Sequence, residues 1–222
     1  MINKEALPFL KNILGLHNSD VNLNFLENVL TAIKNNKEFE DDIIDSFSKN
    51  QFVEKIKLIE HIENLNILNE DSEVVIFGSW YGSIFIPVLA PKVKRVTCID
   101  LNDQVLKIAK NRLFQDYKNI DYIAADIFDK DRERYRSSTL FINTSCEHMP
   151  PMKEWPFWSS TSKDAHFAFM SNNMDYIEGH VNCINSIEEF KNQLPDNFKV
   201  LFEDEVVEER GIKYLVVGKI CH

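Results

Sequence analysis

Apolar residues recur at helical spacing through the first part of the chain, then give way to short unbroken apolar runs. Leu23, Leu26, Leu30 and Ile33 in NFLENVLTAIKNN, and Phe52, Ile56, Ile59, Ile62 and Leu65 in QFVEKIKLIEHIENLNIL, each predict an amphipathic helix. EFEDDIIDSF between them is a shorter amphipathic piece. Residues 1–70 hold one proline and one glycine and are expected to form a helical cap or extension on a main domain of residues 71–222.

The pattern changes at Glu73. Val74–Phe77 (VVIF), Arg95–Asp100 (RVTCID), IDYIAAD, Ser138–Thr144 (STLFINT) and Ala165–Asn172 (AHFAFMSN) predict five strands, the first buried on both faces. SIFIPVLA predicts a helix with Pro87 in its first turn or at a kink. NDQVLKIAKNRLF predicts another, capped by Asn102, with Val105, Leu106, Ala109 and Leu113 on one face. Ser186 and Glu189 have capping-box spacing before a short helix that ends near Pro195. FKVLFEDEVVEE and IKYLVVGKI, joined around Arg210-Gly211, predict an antiparallel hairpin. Strands alternating with helices predict an α/β fold with a parallel sheet and right-handed crossovers, and the hairpin adds an antiparallel edge.

In such a sheet a ligand lies beyond the carboxyl ends of the strands. Gly78-Ser79-Trp80-Tyr81-Gly82 follows the first strand, where glycine allows a tight turn and close approach of a ligand. Asp100 ends the second, placed to accept the hydroxyls of a ribose. Asp126 follows the third, placed to receive the exocyclic amine of an adenine. Together they point to an adenosine ligand. A dinucleotide is disfavoured, because the glycine that lets a pyrophosphate approach is replaced by Trp80.

VVIFGSWYG, VTCIDLNDQVLKIAKNR, YIAADIFD and TLFINTSCEHM together resemble the class I S-adenosylmethionine-dependent methyltransferase family over roughly residues 73–220. The resemblance implies a Rossmann-like, mostly parallel seven-stranded sheet with a C-terminal antiparallel hairpin, and S-adenosyl-L-methionine as cofactor. Gly78 to Gly82 would hold its methionine part, Asp100 with Leu101 its ribose, and Asp126 with Ile127 its adenine; Asn143, ending the fourth strand, is counted with them. Two positions depart from the family pattern: Ile76 stands where an acid is usual, and Trp80 where the middle glycine is usual. They keep open an aminocarboxypropyl transferase resembling nicotianamine synthase, and a non-catalytic adenosyl-binding module.

After the fourth strand, Asn143-Thr-Ser-Cys-Glu-His148 gathers reactive side chains. His148 is a candidate general base, since imidazole titrates near neutral pH; the alternative is a helix-start histidine bonded to backbone. Glu147 would orient His148 or meet a cationic acceptor. Trp155, Phe157 and Trp158, in the proline-rich stretch 149–164, either wall the acceptor site or plug the hydrophobic core. Apart from the loose Cys-x-His of Cys146 and His148, no pair among Cys146, His148, His166, His180 and Cys183 has an established zinc-ligand spacing, so no metal site is expected.

Composition narrows the acceptor. The 44% apolar and 27% charged content is that of a globular chain, and a net charge of -10 disfavours nucleic acid as a partner. The Asn/Asp-Pro-Pro-aromatic motif of base-modifying amino methyltransferases is also missing. A small-molecule acceptor is favoured, with a protein side chain next. DKDRERYR (129–136) reads as a solvated helix face. The four cysteines lack CxxC pairing and read as reduced thiols; no signal peptide and no run of about 18 apolar residues is seen, so a cytoplasmic protein away from membranes is expected. Oligomeric state is left open.

Overall fold

The structure, a computed structural model, describes residues 23–129 and 137–221. The readings of residues 1–22, and of the charge run beyond Asp129, lie outside the described residues.

Seven strands form one sheet: β1 (Glu73–Phe77), β2 (Arg95–Asp100), β3 (Ile120–Ala124), β4 (Leu140–Asn143), β5 (His166–Asn172), β6 (Phe198–Glu208) and β7 (Gly211–Ile220). Their order is β3-β2-β1-β4-β5-β7-β6, parallel from β3 to β5 and antiparallel for β7 and β6. This is the expected mixed sheet with its hairpin edge. Strand order reverses between β1 and β4, which opens a crevice at their carboxyl ends.

Among the described residues, six α-helices accompany the sheet: α1 (Leu23–Asn35), α2 (Glu40–Asp45), α3 (Lys49–Asn64), α4 (Phe85–Leu89), α5 (Asp103–Ile108) and α6 (Ile187–Lys191). Their ends follow local chemistry. Ser48 Oγ accepts the Gln51 N–H to start α3, which stops at Asn66 in the left-handed region, φ 51°. Asn102 Oδ1 accepts the N–H groups of Gln104 and Val105, the expected cap of α5. Ser186 Oγ accepts the Glu189 N–H at 3.1 Å, whereas the Glu189 carboxylate reaches back to Asn185 N rather than to the cap residue itself.

Alternation along the strands splits the core into two layers. Val74, Ile76, Val96, Cys98, Leu140, Ile142, Ala168 and Met170 face one way and join Phe25, Val29, Ala32, Ile43, Phe47 and Leu58 of the N-terminal helical segment in one cluster. The fully buried stripe of α1 is Phe25, Val29 and Ala32; Leu26 and Ile33 of the expected series pack at its margin, whereas Leu30 is 51% exposed. Val75, Phe77, Phe141, Phe167 and Phe169 face the opposite layer, with Trp155, Phe190 and Tyr214. Among the described residues, no helix is long and apolar enough to cross a membrane.

Candidate active site

The carboxyl ends of β1, β2, β3 and β4 open into one cavity of about 610 Å³, walled on the far side by α2 and α3. Gly78, Ser79, Trp80 and Gly82 line it, as do Asp100 and Leu101, Asp126 and Ile127, and Glu147 and His148. Three strand ends chosen from sequence therefore meet at one place. Its size suits a ligand of nucleoside dimensions.

The glycine loop is held open by its own backbone conformation. Gly78, Trp80 and Gly82 take φ values of 54°, 48° and 69°. For Trp80 this left-handed geometry costs about 1–2 kcal/mol relative to glycine. It persists because the loop is anchored: Trp80 N–H donates to Asp100 Oδ2 at 2.7 Å, and Ser79 N–H to Ile99 O at 3.0 Å. Asn102 N–H donates to Asp100 Oδ1 at 2.9 Å. Each carboxylate oxygen has further acceptor capacity, so Asp100 can fix the loop and still take ribose hydroxyls. The Trp80 indole forms part of the cavity wall and lies 5.3 Å from the Tyr81 ring.

Asp126 accepts the Phe128 N–H through Oδ1 at 2.9 Å, which shapes the turn after β3 and leaves Oδ2 as the second acceptor. Leu101 is 74% exposed at the rim, while Ile127 is buried at the edge of the second core layer. An exposed leucine beside a buried isoleucine offers an apolar seat for a flat ring. The residues present fit an adenosyl group.

Tyr81, Asn143, Trp155, Phe157 and Trp158, named from sequence, do not line the cavity. Tyr81 turns into the core, where burial pushes its phenol well above the usual range. Asn143 is fully buried: its Oδ1 accepts the Ser145 N–H, and its amide faces the sulfurs of Met149 and Met152. Trp155, 2% exposed, packs on Phe77 and Phe141 with ring centres 5.3 and 5.6 Å away, and Trp158 crosses it edge-on at 5.2 Å. The loop 149–164 takes the place of a crossover helix and must cover this sheet face, which draws the indoles inward. Trp155 still serves the site from behind, since Nε1–H donates to Ile127 O at 3.1 Å.

The N-terminal helices contribute a wall that the sequence reading missed. Asp45, Ser46, Asn50, Gln51, Glu54 and Lys55 face the cavity. Ser46 Oγ meets Ser83 Oγ at 2.7 Å, tying α2 to the glycine loop. Glu54, 1% exposed, forms an ion pair with Lys213 of β7 and lies 3.9 Å from Lys55. Burial holds the Lys55 ammonium below the usual lysine range, and Glu54 opposes that shift. Glu54, one turn before Leu58 and two before Ile62 on the buried stripe of α3, was the available signal.

Beyond β4, Glu147 and His148 lie on a single tight turn, Cys146–His148. The Glu147 carbonyl accepts the N–H groups of Val181 and Asn182 at 2.9 and 3.0 Å, clamping a later loop against that turn. The clamp brings His180 to His148, ring centres 4.6 Å apart and perpendicular. His148 Nδ1 lies 3.0 Å from Gly179 O; since a carbonyl only accepts, Nδ1 carries the proton and Nε2 the lone pair. The Glu147 side chain is 5% exposed and its Oε2 has no hydrogen-bond partner. Burial raises its pKa above the usual carboxylate range, against the pull of its own backbone N–H, Lys213 and His148. Burial and the neighbouring His148 hold His180 below the usual imidazole range.

No protein-family model and no curated protein matches the sequence. Solved structures do. The N-methyltransferase NodS from Bradyrhizobium japonicum aligns with a TM-score of 0.59 at 16% identity, over 75% of this chain and 97% of that one. An rRNA methylase from Streptococcus thermophilus aligns at 0.54 and 18% identity, over 74% and 95%. TrmK of M. capricolum, solved with S-adenosyl-homocysteine, aligns at 0.52 and 11% identity, over 74% and 67%. Sheet order, closing hairpin and these likenesses agree: the chain has the Rossmann-like fold of the class I S-adenosylmethionine-dependent methyltransferases.

Proposed function

We propose that this protein is an S-adenosyl-L-methionine-dependent methyltransferase. The observation that carries the reading is the convergence of the glycine loop, Asp100 and Asp126 on one cavity. Asp100 would take the ribose hydroxyls, Asp126 the adenine amine, and Leu101 and Ile127 the faces of the base. With Ile76 in place of an acid, Glu54 and Lys55 on the α3 wall offer the opposite charges a zwitterionic methionine arm needs. Similar folds bearing the names N-methyltransferase and rRNA methylase, and that of TrmK holding the demethylated cofactor, support the same reading.

The cofactor's sulfonium supplies an already electrophilic methyl group. The protein's part is to align an acceptor with it and to exclude water. The Glu147–His148 corner faces the same cavity and is where an acceptor would be activated. A net charge of -10 favours a small molecule or a protein side chain over nucleic acid.

Calorimetry with S-adenosylmethionine and S-adenosylhomocysteine tests the reading: both bind the intact chain, and neither binds Asp100→Ala comparably. Absence of binding to the intact chain overturns it. Product mass then separates the chemistries, because methyl transfer leaves S-adenosylhomocysteine and arm transfer leaves methylthioadenosine. Binding without turnover would mark an adenosyl-binding module.

A further inference from the structure

We propose that Glu147, His148 and His180 hold a divalent first-row transition-metal ion in the cavity, beside the adenosyl-binding strand ends. One ligand atom from each lies within 4.8 Å of the other two. Tetrahedral or octahedral coordination at about 2.0–2.2 Å places neighbouring ligands roughly 3 Å apart, so small side-chain rotations close the set.

Three features of the corner suit a cation. First, Glu147 Oε2 is buried with no hydrogen-bond partner, an arrangement that costs free energy unless something positive faces it. Lys213, which also acts on that carboxylate, is engaged by Glu54. Second, His148 donates its Nδ1 proton to Gly179 O, leaving Nε2 as an oriented lone pair. Metal-bound histidines are fixed in this way by a carbonyl on the far ring nitrogen. Third, His180 Nδ1 lies 3.7 Å from Cys183 Sγ, which holds the ring beside His148. The double backbone clamp on Glu147 O holds the two histidine-bearing segments together before any ion binds.

The donor set selects the ion class. Two imidazole nitrogens and one carboxylate suit Zn²⁺, Co²⁺ or Mn²⁺ rather than Mg²⁺ or Ca²⁺, which prefer all-oxygen shells. Three protein ligands leave further positions open, as in catalytic rather than structural sites. All three residues line the cavity, so an open position faces the space an acceptor would occupy. The ion would there take an acceptor hydroxyl, which favours an oxygen nucleophile as substrate. The hydroxyl proton passes to solvent, the oxygen bonds to the methyl carbon, and the sulfur–carbon bond breaks with its electron pair returning to sulfur. That last step rests on the methyltransferase reading; the binding of the ion does not.

The test uses the full chain, freed of metal with a chelator and dialysed. Co²⁺ titration followed by visible absorption, with Zn²⁺ and Mn²⁺ titrations by calorimetry and Mg²⁺ as the control, is expected to give one equivalent per chain. Glu147→Gln, His148→Gln and His180→Gln should each weaken it about 100-fold or more. S-adenosylhomocysteine binding to the same variants, with thermal melts, reports whether the fold and the adenosyl site survive. Full S-adenosylhomocysteine binding with no stoichiometric Co²⁺, Zn²⁺ or Mn²⁺ overturns the metal site alone. So does metal binding that the three substitutions leave unchanged. A His148→Gln chain that binds metal normally but loses turnover would make His148 the proton acceptor and overturn its role as ligand.

Discussion

The backbone N–H of Trp80 donates to Asp100 Oδ2 at 2.7 Å, joining the turn after β1 to the end of β2. One carboxylate thus fixes the glycine loop and presents its spare lone pairs to the cavity. Asp100→Ala removes both functions. S-adenosylhomocysteine affinity should fall by about 100-fold, the scale of two charge-assisted hydrogen bonds. Asp100→Asn, keeping one acceptor oxygen, should fall between the two in calorimetry.

Gly82 closes the same loop at φ 69°, and a Cβ there would lie 2.7 Å from Ile86 Cδ1. Gly82→Ala meets both backbone strain and a side-chain clash. The variant should lose about 2–3 kcal/mol in denaturant unfolding. A midpoint equal to that of the parent would show that the loop relaxes freely.

Trp155 fills the core and holds Ile127 O with its indole N–H. Trp155→Phe keeps most of the apolar contact but strands that carbonyl, so stability should drop by about 1–3 kcal/mol. Cofactor affinity should also fall, because the turn bearing Asp126 loses its rear support. Trp155→Ala adds a cavity and should cost about 3–5 kcal/mol in the same unfolding assay.

Burial pushes the Cys98 thiol from an ordinary value near 9.0 up to about 12, a shift that Asp100 reinforces and a hydrogen bond with Ser79 opposes. Its folded-state pKa lies above the unfolded one. The stability this contributes is complete below pH 9.0, and fades as pH climbs toward 12. At about pH 8, iodoacetamide should label exposed Cys221 quickly and leave Cys98 intact until the protein is denatured. Peptide mass spectrometry reads the order directly, and early labelling of Cys98 would contradict its burial.

The ion pair between Glu54 and Lys213 is shielded from solvent on both sides. Lys213→Met leaves a buried carboxylate with only Lys55, 3.9 Å away, and should cost about 3 kcal/mol. Adding Glu54→Gln should recover part of that loss, a coupling that a double-mutant cycle measures.

Much of the sheet was legible because β1, β4 and β5 are buried on both faces and read as unbroken apolar runs. That Asp100 and Asp126 line the cavity was legible because position at a strand end is itself the signal and needs no knowledge of distant contacts. Helix register was less so. Leu30 and Phe25 are equally apolar, and only packing against Phe47 and Phe114 decides that Phe25 turns inward. Trp155 and Trp158 were ambiguous for a related reason, since whether an indole lines a cavity or covers a sheet depends on whether a helix already covers it. The approach of His180 to His148 follows from the hydrogen bonds on the Glu147 carbonyl, which no local spacing announces.

Lys213 on β7 grips Glu54 on α3 across the back of the cavity, so segments far apart in sequence share one enclosure. The strand ends form one side of the cavity, and the opposite wall belongs to the helices that precede the sheet. Exchanging α2 and α3 would therefore reshape what the cavity admits while leaving the strand-end residues Asp100 and Asp126 in place.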